Sequence, residues 1–209
     1  MKNLTKTFCL LFVVVIAATA SAVAQDDKGH YYVPLRDVQM EIKDFDFATP
    51  DGKTINLREA VKGKKLVLIH YFAAWCHNSN FDVKAMKELY EKYKDQGFTV
   101  IGVCEYSNEL ELRGFIERHE PEYPICIEGD GKFKDRTGTT HYAYRSKLDD
   151  NRHWGTPLNI LIAAEDVQKK GDIVAKRVRI AAGEVIKSEF EELIKQECLD
   201  QKTKSKNIK

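Results

Sequence analysis

The chain has 209 residues, and its 33 Lys and Arg nearly balance its 32 Asp and Glu, which gives a formal net charge of +1. Such a balance is not that of a nucleic-acid-binding protein, whose basic surface attracts phosphate groups. After removal of a short N-terminal segment, a chain of this length suits one domain with a substantial core.

Residues 1–24 are predicted to be an export signal. Two lysines provide a positive end, an apolar core follows from Cys9 to Ala18, and Ala22-Val23-Ala24 has the small-x-small pattern of a cleavage site. The apolar core is shorter than the roughly 20 residues that span a bilayer, so no transmembrane span is expected in the mature chain. We therefore expect an exported protein, periplasmic or otherwise extracytoplasmic after cleavage near Ala24, with an uncleaved anchor as the alternative.

The first part of the mature chain predicts a leader, a hairpin, a buried strand and a helix. Residues 25–39 are expected to form an irregular leader. The stretch DFDFATPDGKTINL, residues 44–57, has two alternating runs around a Pro-Asp-Gly turn, which predicts a β-hairpin. The run LVLIHYFA, residues 66–73, is almost continuously apolar, as in a strand covered on both faces. After Cys76 the apolar residues take helical spacing as far as Gly97.

The second part continues the alternation of strands and helices. The predicted elements are strands at 98–105 and 123–128, a helix at 107–119, a short helix with a long loop at 129–155, and an antiparallel hairpin of 157–164 and 172–180. A last helix is expected to begin at the capping-box sequence Ser188-Glu189-Phe190-Glu191. Short connections between alternating elements predict one α/β domain over residues 40–199, followed by a basic, flexible tail at 200–209.

Cys76 is the candidate nucleophile. It is predicted to lie where a buried strand ends and a helix begins, and free backbone N–H groups at the start of a helix stabilise a thiolate. The alternative is that Cys76 only fills space in an apolar environment, which suits a cysteine inside a strand better than one at this junction.

The sequence resembles the thioredoxin superfamily in HYFAAWC before a helix, in Gly155-Thr156-Pro157 before an apolar strand, and in the closing hairpin and helix. Two stretches, DFDFATPDGKTINL and MKELYEKYKDQGFTVIGV, are similar to its exported TlpA/ResA-type branch, which is related to the AhpC/TSA redoxins. The resemblance implies a thioredoxin-like fold, with a central mixed sheet flanked by helices and an N-terminal β-hairpin extension. It also implies a cis Pro157 against the cysteine, a Thr156 backbone that pairs with substrate, and a substrate contact at Trp75.

The active-site motif departs from the Trp-Cys-x-x-Cys of that family. Ser79 stands where the family has a second cysteine, so it can hydrogen-bond the thiolate but cannot displace a sulfur. His70, beneath the predicted site, is expected either to relay protons and change charge near neutral pH or to be a hydrogen-bonded core residue. His77 as a cation would further stabilise the thiolate, or it is simply exposed to solvent.

Three other cysteines of the mature chain have weaker signals. Cys104 and Cys126 are expected on neighbouring strands, as two reduced core cysteines or as a structural disulfide, and Cys198 is expected on the inward face of the last helix. None of the three has a placement that marks it as a resolving partner for Cys76.

The leading hypothesis is therefore an exported thiol-disulfide oxidoreductase with one nucleophilic cysteine and no cofactor. Its partners would be protein or small thiol and disulfide substrates, with an external thiol completing the cycle. A redoxin-type thiol peroxidase is the second hypothesis, although Ala73 stands where peroxidases carry a threonine. A binding module that uses the groove beside Pro157 is the third. Metal delivery is disfavoured because it needs a second nearby cysteine.

Overall fold

The computed structural model describes residues 24–25, 29–129 and 133–199. Its strands are β1 (Ala24–Gln25), β2 (Tyr31–Val33), β3 (Arg36–Lys43), β4 (Asp46–Ala48), β5 (Thr54–Asn56), β6 (Leu66–Phe72), β7 (Phe98–Cys104), β8 (Ile125–Ile127), β9 (Leu158–Ala163), β10 (Ile173–Ala181) and β11 (Glu184–Val185). Its helices are α1 (Leu57–Ala60), α2 (His77–Tyr93), α3 (Glu109–His119), α4 (Thr140–Arg145) and α5 (Lys187–Cys198). Most of the predicted export signal, residues 1–23, and the predicted basic tail, residues 200–209, lie outside the described residues.

The main sheet is mixed and has the strand order β3-β10-β9-β6-β7-β8-β4-β5. Strands β6, β7 and β8 run parallel, whereas β9 and β10 are antiparallel neighbours on the other side of β6. The predicted hairpin forms from β4 and β5 and joins the sheet through β8. The predicted mixed α/β sheet and its N-terminal hairpin are therefore confirmed.

Strand β6 lies in the middle of this sheet, and each of its seven residues is buried. Its side chains alternate between two apolar clusters, with Leu66 and Leu68 on the face covered by α2 and α5, and Val67 and Ile69 on the opposite face. Because both faces are covered, the strand is apolar except for His70, as the sequence predicted. It ends at Phe72, which places the following loop at the carboxyl edge of the sheet.

The leader is more ordered than the sequence indicated. Strand β2 pairs in parallel with β11 and antiparallel with β1, and together they form a small second sheet. The buried carboxylate of Glu184 accepts a hydrogen bond from Tyr31 N at 2.5 Å and lies 2.9 Å from Nδ1 of the buried His30. The prediction of an irregular leader is therefore wrong for residues 29–39, which contain β2 and the first part of β3. The partner strand β11 and the carboxylate of Glu184 lie about 150 positions away, beyond the reach of local patterns.

The predicted capping box of the last helix is also wrong. Helix α5 begins at Lys187, and its N-cap, Ile186, makes no side-chain capping bond. Glu189 instead accepts a hydrogen bond from Leu35 N at 2.9 Å, so its carboxylate holds the leader rather than the helix start. A capping box is present in α3, where Asn108 and Glu111 each accept a bond from the other's backbone N–H.

We expect Asn108→Ala to lower the free energy of unfolding by about 1 kcal/mol, because it removes the side-chain acceptor at the start of α3. Urea unfolding followed by circular dichroism measures this change. Ser188→Ala, at the sequence motif that forms no cap, is the matched control and should change stability by less than about 0.5 kcal/mol. Equal effects of the two variants would contradict the assignment of the cap to α3.

Among the described residues, no helix combines the length and the apolar character needed to cross a bilayer.

Candidate active site around Cys76

Cys76 is the N-cap residue of α2, with extended backbone angles (φ −74°, ψ 125°). Its own N–H donates to Ala73 O at 3.0 Å, and its carbonyl accepts the first helical bond, from Asn80 N, at 3.0 Å. The side chain is half-buried, and the cysteine is unpaired. The thiol therefore stands at the positive end of a 17-residue helix, as the sequence predicted.

A second segment completes the site opposite Cys76. The Thr156–Pro157 peptide bond is cis, and it precedes β9, the antiparallel neighbour of β6. The Cys76 Sγ atom lies 3.7 Å from the carbonyl oxygen of Thr156, close enough for a weak S–H to O hydrogen bond. The structure thus brings together three residues that the sequence placed in one site from separate segments.

Two tryptophans flank the thiol. Trp75 is 36% exposed, and its Nε1 donates to Tyr106 O at 2.7 Å. Its ring meets Trp154 edge-on, with the centroids 5.5 Å apart. Trp154 follows α4 in the segment that leads to Thr156, and the rings of Trp75 and Trp154 form one rim of the groove.

Arg152 is a site residue that sequence reasoning missed. Its guanidinium donates to three consecutive carbonyl oxygens around the cis bond, those of Gly155 (2.8 Å), Thr156 (3.2 Å) and Pro157 (3.1 Å). A bidentate contact with Asp150, at 2.9 and 2.8 Å, holds the guanidinium in place. Arg152 and Cys76 thus share the Thr156 carbonyl oxygen, which puts a cation near the thiol. No motif marks this arginine, because its partners are backbone atoms.

Ser79 is fully buried, and its Oγ accepts a long hydrogen bond of 3.4 Å from Ala73 N. This contact ties the first turn of α2 to the end of β6. The predicted hydrogen bond from Ser79 to a Cys76 thiolate stays a prediction.

His77 is exposed at the start of α2 and has an aromatic neighbour from the leader. The rings of His77 and His30 stack with centroids 5.3 Å apart and an interplanar angle of 18°. The centroids of the His30 and Phe81 rings are 3.7 Å apart. Glu184 contacts His30 through Nδ1 of its ring, so the position of His30 is fixed. The leader therefore lines the site on the side of His77, next to Cys76.

A buried polar network lies beneath the site. His70 Nδ1 is 2.8 Å from Asn159 Oδ1, and Asn159 Nδ2 donates to Asp82 Oδ2 at 3.0 Å. Asp82 Oδ1 accepts from Val185 N at 2.9 Å, and its other oxygen is 3.8 Å from His70 Nδ1. Since Asn159 donates through its nitrogen, its oxygen must accept, and His70 Nδ1 carries the proton.

Burial sets the charge of both ionisable groups in this network. It lowers the pKa of His70 to about 4, against a smaller opposing effect of the Asn159 bond, so the ring is neutral at pH 7. Burial also raises the pKa of Asp82 to about 7. The structure thus favours the second alternative for His70, a hydrogen-bonded core residue, and Asp82 is the group of this network whose pKa lies near neutral pH. Asp82 had a signal in the sequence, since it is an acid on the mostly apolar inward face of α2.

The remaining cysteines of the described chain are unpaired and buried. Cys104 and Cys126 lie on the neighbouring strands β7 and β8, and burial raises the pKa of each thiol to about 12. Burial also raises the pKa of Cys198, at the end of α5. Such thiols are poor nucleophiles, so Cys76 is the reactive candidate among the described cysteines. Within the described residues, no group of three His, Cys, Asp or Glu side chains is arranged to hold a metal ion.

Residues 37–187 match the Redoxin family. The chain belongs to this family. It is 30% identical over 78 residues to thiol-disulfide oxidoreductase ResA of Bacillus cereus, which covers 37% of this chain and 44% of that protein. It is 33% identical over 91 residues to the thioredoxin-like protein YneN of Bacillus subtilis, which covers 42% and 52% of the two chains. The chain thus spans about half the length of these curated relatives.

Solved structures with similar folds include two thiol:disulfide interchange proteins. The one from Chlorobium tepidum has a TM-score of 0.55 at 19% identity and covers 77% of this chain and 97% of its own. The one from a Bacteroides species has a TM-score of 0.56 at 21% identity, with coverages of 80% and 93%. The solved structures confirm the predicted thioredoxin-like fold, and the similarity to ResA and YneN confirms the resemblance to the ResA-type branch.

Proposed function

We propose that this redoxin-family protein is a thiol-disulfide oxidoreductase that acts through one nucleophilic cysteine, Cys76. One observation carries the proposal: the half-buried Cys76 thiol stands at the start of α2 and faces the Thr156 carbonyl oxygen before a cis proline. The names of the relatives ResA and YneN, and of the interchange proteins with this fold, support the same activity.

The proposed reaction is a pair of exchanges. The Cys76 thiolate attacks one sulfur of a substrate disulfide R–S–S–R′, forms Cys76–S–S–R and releases R′–S⁻. An external thiolate then attacks this mixed disulfide, restores the Cys76 thiolate and leaves with R in a new disulfide. Each step makes one S–S bond and breaks one, so no electrons are lost. Because Ser79 cannot act as the second nucleophile, Cys76 holds R until the external thiol arrives.

The groove around Cys76 supplies the binding contacts in this proposal. The Thr156 backbone would pair with an extended segment of the substrate, and Pro157 would pack beside the disulfide. Trp75 and His77 would contact the substrate from the two sides of the nucleophile. Arg152 would keep the Thr156 carbonyl in position and stabilise negative charge that develops on the sulfur atoms.

The buried network is proposed to accept and return protons. A carboxyl group with a pKa of about 7 is partly protonated at neutral pH, which suits general acid and base chemistry. Asp82 is connected through Asn159 to His70, whose Nε2 is buried and has no hydrogen-bond partner among the described residues. We propose that Asp82 accepts the proton that the Cys76 thiol loses before its attack and returns it to the leaving thiolate R′–S⁻, and that His70 holds the network in place.

The substrates are proposed to be protein or small-molecule disulfides outside the cytoplasm. The sequence pattern of residues 1–24 supports export. An extracytoplasmic location also gives a disulfide-exchanging protein a compartment in which disulfides persist.

A covalent trapping experiment tests the function. The mature protein, incubated with a peptide that carries glutathione on its cysteine, should form a mixed disulfide on Cys76, and added glutathione should release it with multiple turnovers. Mass spectrometry locates the adduct, and Cys76→Ser is the blank. The proposal would be contradicted by an adduct on another cysteine. It would also be contradicted if Cys76 exchanged with the peptide disulfide no faster than the free amino acid cysteine does. Consumption of hydrogen peroxide without exchange would favour the peroxidase instead.

A further inference from the structure

The side chain of Asn80 joins the active-site turn to the end of α3. Its Nδ2 donates to two carbonyl oxygens that flank Trp75, those of Ala74 and Cys76, both at 2.8 Å. Its Oδ1 accepts from Arg118 Nη1 and from His119 Nε2, again at 2.8 Å each. One half-buried amide thus makes four hydrogen bonds of good length.

The partners fix the orientation of this amide. Arg118 can only donate, so it requires the oxygen of Asn80 on its side, and the two carbonyl groups require the nitrogen on theirs. Burial lowers the pKa of His119, and the cations of Arg118, Lys84 and Lys87 lower it further, so the ring is neutral at pH 7. Its Nε2 must then carry the proton that Asn80 accepts.

We propose that Asn80 is a positioning residue for Cys76, and that Arg118 and His119 lock it in the orientation that holds the turn. On the other side of this turn, Ala74 N donates to Ser107 and Trp75 Nε1 donates to Tyr106 O, whereas on the α2 side Ser79 makes only the long bond from Ala73 N. Asn80, which lies on α2, is the side chain that donates to the carbonyl groups of Ala74 and Cys76. It thereby fixes the direction in which the first N–H groups of α2 point relative to the Cys76 sulfur.

An isosteric replacement separates this role from a merely structural one. Asn80→Asp keeps the oxygen that faces Arg118 and strengthens that contact with a charge, but it loses the N–H donors and sets a carboxylate against the Ala74 and Cys76 carbonyl oxygens. If Asn80 only anchored α3, the aspartate would be tolerated. If it positions the nucleophile, the turn moves although the anchor survives.

Asn78→Asp is the matched control. Asn78 lies in the same motif and makes no side-chain hydrogen bond to another described residue, so the same negative charge enters near the thiol without loss of a bond. Both acids lie in the first turns of α2, where negative charge favours the helix. The difference between the two variants isolates the two bonds to the carbonyl groups.

The measurement is the rate of alkylation of Cys76 by iodoacetamide from pH 5 to 9, with the thermal midpoint of each variant. We expect Asn80→Asp to slow alkylation at pH 7 by about tenfold relative to Asn78→Asp, and to move its pH profile upward, because the N–H groups at the start of α2 that stabilise the thiolate no longer point at the sulfur. Equal rates and profiles in the two variants would overturn the assignment. So would a lowered thermal midpoint of Asn80→Asp with normal alkylation.

If Asn80→Asp does not fold, Arg118→Gln is the second variant. It should slow the alkylation of Cys76 severalfold, because the side chain of Asn80 is then held less firmly. An unchanged rate would contradict the role of Arg118 in orienting Asn80. The inference rests on the proposed function in one respect only: the position of Cys76 affects turnover only if the protein exchanges disulfides. Alkylation reports the position of Cys76 whether or not the protein exchanges disulfides, so failure of the exchange assay and failure of this inference are separate results.

Discussion

Replacing Ser79 with cysteine is expected to shorten the lifetime of a mixed disulfide on Cys76 by at least about a hundredfold at millimolar external thiol. Residues three apart at the start of a helix lie on the same side, with their Cβ atoms about 5–6 Å apart. The Cβ atoms of a disulfide are about 4 Å apart, so a small shift of the first turn brings the two sulfur atoms into bonding distance. A thiol at position 79 would therefore attack intramolecularly, at an effective concentration far above that of the external thiol.

The products also change in this variant. Attack by the new thiolate at position 79 forms an intramolecular disulfide with Cys76 and releases the substrate as a thiol, so the protein takes up one disulfide equivalent. A dithiol reductant such as dithiothreitol then regenerates it. We therefore expect Ser79→Cys to catalyse the reduction of insulin by dithiothreitol, which the wild-type protein catalyses weakly.

Ser79→Ala is the control for loss of the hydroxyl group. It removes the contact with Ala73 N but supplies no sulfur, so the mixed disulfide should last as long as in the wild-type protein. Quenching with acid and mass spectrometry measures both lifetimes. A long-lived adduct in Ser79→Cys would mean that a thiol at position 79 cannot reach Cys76. The long lifetime of the wild-type adduct would then have a cause other than the lack of a second cysteine.

The predictable parts of this protein are those in which local sequence determines structure. Strand β6 is apolar because both of its faces are covered, and its end places Cys76 at the start of α2. The hairpin of β4 and β5 follows from its turn residues. Such patterns depend on neighbours in sequence, so the core of the sheet and the position of the nucleophile could both be derived.

The parts that escaped prediction depend on contacts between distant segments. The leader pairs with β11, and Glu189 bonds Leu35 N instead of capping its own helix. Arg152 contributes through backbone carbonyl groups, which leave no trace in the sequence. Asn159 looks like an ordinary polar residue in a strand until the fold places it between His70 and Asp82.

That network predicts two opposing contributions to stability as the pH changes. Between pH 3.8 and about 7, folded Asp82 keeps a proton that the unfolded chain has lost, so stability falls as the pH rises. Between about pH 4 and 6.5, the unfolded chain holds a proton on His70 that the folded chain lacks, so stability rises with pH. The windows overlap, and we expect the two contributions to cancel in large part in the wild-type protein, which leaves a fall in stability of about 1 kcal/mol between pH 4 and 7.

Single substitutions should reveal each contribution. One pKa unit corresponds to about 1.4 kcal/mol, so Asp82→Asn should gain about 4 kcal/mol in unfolding free energy relative to wild type from pH 4 to 7. His70→Asn should lose about 3 kcal/mol relative to wild type from pH 4 to 6.5. Urea unfolding at half-unit pH steps measures both, and Asp95→Asn, at an exposed position, is the control with no expected slope.

The double variant Asp82→Asn with His70→Asn distinguishes the effect of the two titrating groups from a general loss of core stability. Loss of a buried hydrogen bond lowers stability by a similar amount at every pH, so it shifts a curve without tilting it. Removing both titrating groups should therefore restore the wild-type slope, although the protein is less stable throughout. If the single variants showed the same slope as the wild type, the pKa values of Asp82 and His70 would be the same in the folded and unfolded chains. Asp82 would then be ionised at neutral pH and would have no proton to give.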